Sequence, residues 1–163
     1  MAAVSFKSLV SSYWFGGAVF GEAGHINIGA DRASQSQVVG DFVRAGANVT
    51  LSSDVVSGDE AYRANPFIGL EMSISRQEYG GDKSAPVLSP ASAAITLEAA
   101  IKAYTVNGAR QLDKENELGS LVAGKLADFV VLDKNPFDVE IAVIHQIKPV
   151  ATVIGGRLVY GKL

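Results

Sequence analysis

In the first part of the chain, short stretches of period-two alternation give way to stretches whose apolar positions recur every three or four residues. Val4 and Phe6 alternate with Ser5 and Lys7, which predicts a strand, and Gly16, Gly17, Gly21 and Gly24 then predict a loop. Asp31 or Ser34 can cap a helix whose Val38, Val39, Phe42 and Val43 share one face, with Gly46 as the left-handed residue that stops it. A second strand is predicted over 47–52, where Val49 and Leu51 alternate with Asn48, Thr50 and Ser52. It runs straight into a polar turn over 53–58 that contains Asp54.

Asn65 before Pro66 predicts a helix start, because the missing N–H of proline is harmless in a first turn, and Phe67, Leu70 and Ile74 form its stripe. After a loop with Gly80, Gly81, Pro86 and Pro90, Thr96 caps the most regular helix of the chain. Glu98 stands in its first turn, Leu97, Ala100, Ile101 and Tyr104 lie on one side, and its end falls near Asn107 and Gly108. Alternating strands and helices with short joints predict an α/β fold with parallel strands, which need covering on both faces. Beyond Gln111 the pattern changes. Residues 126–132 are nearly continuously apolar, and the strands 150–154 and 158–160 flank a Gly155-Gly156 turn, which predicts a small β module with a two-residue hairpin. No internal repeat or low-complexity tract is present.

Composition narrows the choice of partners. Apolar residues make up 48% of the 163 and charged ones 19%, which is the composition of a chain that folds. The net charge of -3 comes without a basic cluster, so nucleic acid is not an expected partner. The absence of cysteine removes disulfides, thiolate metal sites and a cysteine nucleophile, and agrees with a cytoplasmic location. The apolar run after Lys7 is interrupted by Ser11, Ser12, Gly16 and Gly17, which argues against a signal peptide, and no stretch reaches the length of a membrane span.

The segment from Leu118 to Asp133 reads LGSLVAGKLADFVVLD. It resembles the C-terminal signature of the amidohydrolase superfamily. Ala100, Thr105, Asn107, Gly108 and Ala109 are similar to the helix end that precedes that signature, and Thr152, Gly156, Arg157, Val159 and Tyr160 to the closing strand. Upstream, Gly29 to Ala33 and the turn Ser52, Ser53, Asp54 resemble the amidohydrolase family 3 branch. The resemblance implies a C-terminal fragment of a TIM-type (β/α) barrel over 1–115, holding its last strand–helix units, followed by a small β-sandwich module over 116–163.

It also implies a metal-dependent hydrolase that acts on non-peptide C–N bonds, amide or cyclic amide, of a small-molecule substrate, with zinc as the expected divalent metal. In the family, the aspartate after the last barrel strand binds the metal or holds and deprotonates the attacking water, and Asp54 stands at that position. A carboxylate at the C-terminal end of a barrel strand faces the mouth where catalytic groups converge. Taken without the resemblance, Asp54 reads as a turn aspartate that accepts backbone N–H bonds. The family's histidine ligands lie upstream of Asp54 and are missing, whereas a hydrolytic zinc site normally needs about three protein ligands. The chain has two histidines, and neither His25, in the glycine-rich loop, nor His145, in the β module, occupies a family ligand position.

The remaining polar residues read as structural. Ser52 and Ser53 lack a histidine partner at a recognisable spacing and are expected to hydrogen-bond at the strand end. Tyr13 and Trp14 are expected to pack, Arg32 and Arg76 to form ion pairs or pack on helices, Lys125 to order the loop before the β module, and Asp128 to be structural. Met1 stands directly before the first strand, as at a start inside a longer gene. Two strand–helix units cannot close a barrel. Two expectations follow: the chain is inactive and holds no metal until the N-terminal barrel portion is supplied, or it is a non-catalytic remnant or assembly module that oligomerises with copies of itself through its exposed sheet.

Overall fold

The computed structural model describes residues 3–6, 29, 31–32, 35, 38–53, 61–62, 64–77, 79–80, 84 and 87–163. Strand β1 (Ala3–Phe6) pairs in parallel with β2 (Asn48–Leu51), with Ala3 opposite Asn48 and Phe6 opposite Leu51. All four residues of β2 are buried, the polar ones included. A parallel strand has layers on both faces, so the period-two alternation of its sequence does not separate core from solvent. Instead, the Asn48 amide nitrogen and the Thr50 hydroxyl each donate a hydrogen bond across to the neighbouring layer. Asn48 Nδ2 donates to Asn107 O at 3.1 Å and Thr50 Oγ1 donates to Gln111 Oε1 at 2.7 Å.

Helix α1 (Val39–Arg44) begins later than its sequence suggests. Its N-cap is Val38, which makes no side-chain capping bond, while Asp31 and Arg32 belong to a separate helical turn and Ser34 lies outside the described residues. The expected apolar face also divides: Val39 is 1% exposed and Val43 packs on the core, whereas Phe42 turns outward. Gly46 ends the helix as expected. At φ +76° it allows Gly46 N to donate to Val43 O and Ala47 N to donate to Phe42 O, the paired bonds of a Schellman motif.

Helix α2 (Pro66–Ser75) is capped by Asn65, whose side chain accepts from Phe67 N at 3.0 Å. Its Leu70 lies in the main core, with Phe67 and Ile74 packed beside it, and Ile68 and Met72 form a second cluster with Tyr79 and Leu88. The helix is therefore enclosed on more than one side. Helix α3 (Leu97–Tyr104) starts at the Thr96 cap, where Ala99 N donates to Thr96 Oγ1 at 3.2 Å. It stops short of Asn107. Thr105 leaves helical geometry at φ -125° and ψ -98°, its hydroxyl bonding back to Ile101 O, and a separate helix α4 (Val106–Gln111) follows. The break redirects the chain so that Asn107 Nδ2 donates to Val49 O at 2.8 Å, tying α4 to the strand.

The last part of the chain is a three-stranded antiparallel meander of β3 (Phe129–Leu132), β4 (Pro149–Ile154) and β5 (Arg157–Gly161). Gly155 and Gly156, both at positive φ, form the predicted two-residue turn. A 3-10 turn over Ile141–Gln146 leaves this sheet and packs on α2, placing Ile144 and Ile147 in one core with Val49, Leu70 and Ala100. Among the described residues no helix is long and apolar enough to cross a membrane.

Candidate functional site

The strand end singled out in the sequence is held by the layers just described. β2 ends at Leu51, and Ser52 and Ser53 follow in a half-buried, irregular stretch. Asp54, the candidate catalytic and metal-binding residue, lies outside the described residues, as do His25, Tyr13 and Trp14. Among the described residues no group of three or more His, Cys, Asp or Glu side chains could hold a metal ion. The described part of the chain thus does not by itself fit a metal centre.

The other polar residues of the sequence motifs have structural partners. Lys125 Nζ donates to the carbonyl of Glu115, to Ser120 Oγ at 2.9 Å and to Leu118 O at 3.4 Å, gathering the loop between α4 and β3 around one ammonium group. Asp128 Oδ1 accepts from Gly155 N at 2.6 Å, which fastens the β4–β5 turn to the approach of β3. Gly119 is required by space as well as conformation: it has φ +83°, and a Cβ there would lie 2.8 Å from Ala109 Cβ and from Val106 Cα. Arg32 is exposed, while Arg76 is buried at the left-handed C-cap of α2. Its Nε donates to Leu88 O at 3.0 Å and its Nη2 to Ser89 O at 3.2 Å, so it closes the base of the loop after α2.

One constellation escaped sequence reasoning. Glu71, 2% exposed within α2, meets His145 from the 3-10 turn, with Nδ1 and Oε2 2.7 Å apart. The backbone N of His145 donates to the same oxygen at 2.9 Å, and Gly80 N donates to Oε1 at 2.8 Å. The partners are 74 residues apart, so no local spacing announces them. The one available signal was a lone carboxylate among Ile68, Leu70 and Met72, where a buried charge requires a partner. Elsewhere, burial pushes the Tyr104 phenol well above its ordinary range, while the hydrogen bond from Lys102 and then its charge hold the exposed Glu98 carboxyl below its own.

Comparison with known proteins places these features in a family. Residues 18–160 match the sequence profile of the amidohydrolase family. The chain belongs to the amidohydrolase family. It is 29% identical over 116 residues to N-substituted formamide deformylase of Arthrobacter pascens, covering 71% of this chain and 20% of the relative. It is 38% identical over 66 residues to imidazolonepropionase of Bacteroides fragilis, covering 40% of this chain and 16% of that protein. A solved amidohydrolase from Thermotoga maritima shares the fold at a TM-score of 0.52 and 22% identity, over 77% of this chain and 26% of its own. This amidohydrolase-family chain therefore spans about a fifth or less of the curated relatives it matches. The α/β character expected from the pattern of elements agrees with that neighbour. Lys125, Asp128 and Gly119, three of the signature residues, serve the loop and the turn.

Proposed function

We propose that this chain is the C-terminal portion of a metal-dependent amidohydrolase that hydrolyses non-peptide C–N bonds, amide or cyclic amide, of small molecules in the cytoplasm. Residues 1–115 supply the last strand–helix units of a TIM-type barrel and residues 116–163 a small β module, one sheet of a β-sandwich whose other strands come from elsewhere. Asp54 is the metal ligand and the base that holds the attacking water, and the remaining ligands come from an N-terminal barrel portion. The observation that carries this reading is the family match over 18–160, combined with a parallel strand, buried on both faces, that ends three residues before Asp54.

The bound metal, zinc in this reading, would supply Lewis-acid polarisation and lower the pKa of a bound water. The chemistry of this chain's own carboxylate is to accept a proton and to orient the water. Names of relatives, such as N-substituted formamide deformylase and imidazolonepropionase, direct the choice of trial substrates to formamides and cyclic amides.

The test mixes this chain with the separately produced N-terminal portion of a full-length relative and measures zinc content and hydrolysis. Metal-dependent turnover is expected only in the mixture, and Asp54→Asn in the mixture is expected to lower it by at least about 100-fold. Turnover and stoichiometric zinc in the isolated chain would overturn the reading. A second reading, a non-catalytic assembly module that associates with copies of itself, is favoured by the exposed apolar residues Leu158, Val159 and Tyr160 on β5. A chain that forms oligomers in light scattering and gains neither zinc nor turnover in the mixture would support it.

A further inference from the structure

The chain between β3 and β4 leaves the sheet and returns to it through a closed neck. Asp133 N donates to Lys148 O at 3.0 Å, and Lys148 N donates back to Asp133 Oδ1 at 2.8 Å. Compact loops whose ends meet usually pack on their own side chains. Here those side chains serve another part of the molecule. Ile144 and Ile147, 1% and 2% exposed, enter the core of Val39, Val49, Leu70 and Ala100, and Leu132 and Val139 pack against it. The backbone of the turn is held as well: His145 N donates to Glu71 Oε2 at 2.9 Å, and His145 O accepts from Asn65 Nδ2 at 3.3 Å. Both groups therefore depend on side chains of α2 and its cap. The sheet offers little in return. The buried residues of β3, β4 and β5 are Ala151 and Val153, two small side chains, whereas Val130, Ile154, Leu158, Val159 and Tyr160 are exposed. A small sheet becomes stable in water by packing an apolar face or by resting on a helix. The 133–148 segment is what rests on one.

We propose that the 133–148 segment is a strap that joins the β module to the preceding part of the chain as one opening unit, so that β3–β5 unfold when α2 leaves and α2 unfolds when the sheet does. Withdrawing the strap would bring Ile144 and Ile147 into water together and would deprive the buried Glu71 carboxylate of the His145 amide, a polar cost added to the apolar one. In the other direction, loss of the sheet opens the neck between Asp133 and Lys148, and the strap then has to order a free loop in order to stay docked. Helix α2 follows in sequence the stretch that holds Asp54, so the strap also ties the β module to that end of the stretch. The strap stands independently of the hydrolase reading.

The experiment is native-state hydrogen exchange on the full chain in rising, sub-denaturing urea, read at the slowest amides of β4 and of α3. In the unmodified protein the two sets are expected to converge on one opening with one urea dependence. Leu70→Ala, a change in α2, is expected to lower the protection of both sets by the same factor, at least about 30-fold. Asp128→Ala, which releases Gly155 N at the far turn of the sheet, is expected to lower both sets alike by roughly three- to tenfold. The urea dependence of the unmodified protein keeps the test decisive if a variant fails to fold. Separate openings for β4 and α3, or factors that differ between the two sets in either variant, would overturn the proposal.

Discussion

Strands β2 and β5 have opposite surroundings. Every residue of β2 is buried, including Asn48 and Thr50, whereas every residue of β5 is exposed, including Leu158, Val159 and Tyr160. The apolar content of a strand therefore does not decide its burial; the layers available on its two faces do. β2 has α3 on one side and α4 tied to it by Asn107 and Gln111. β5 pairs along one edge with β4, and its side chains meet solvent on both faces.

The contrast can be broken most forcefully from the inside. Leu70, 5% exposed in the same core as Val49, is expected to lose about 2–5 kcal/mol of stability as Leu70→Ala, read from the urea midpoint. A smaller effect is expected where the two regions join. Lys125→Met keeps the stem but removes the ammonium that gathers Glu115, Leu118 and Ser120, and leaving those acceptors unpaired costs about 1–3 kcal/mol. The smallest effect belongs to Leu158→Ser, since Leu158 is 48% exposed; a change within about 0.5 kcal/mol is expected in the isolated chain. Repeating that substitution in the presence of an N-terminal portion sharpens the contrast. If another sheet covers β5 there, Leu158→Ser costs more in the mixture than alone, and equal costs would show that β5 stays bare.

Elements governed by neighbouring residues were legible in the sequence. Asn65-Pro66, Thr96, Gly46 and Gly155-Gly156 act through bonds or dihedrals within a few positions, and each marks its helix end or turn as predicted. The start of α1 was not legible, because Val38 serves as its cap without a side-chain bond and the helix is held by the burial of Val39. The break at Thr105 was also hidden. Its benefit is the bond from Asn107 to Val49, made 58 residues away in sequence. At the candidate site, the strand leading to Asp54 was legible from its alternation, while the role of Asp54 came from family resemblance, and that residue lies outside the described ones. The Glu71–His145 pair depends on two segments meeting in space, which periodicity does not encode.

The hook from Asp128 to Gly155 bears on how the protein can be engineered. Tips of hairpins are usually where extra residues are tolerated, because their backbone is free. Here the amide of Gly155 is committed to Asp128, and that of Gly156 donates to Ala127 O at 3.1 Å. A peptide tag spliced between the two glycines would unfasten both bonds, so this turn is a poor place for a fusion or label.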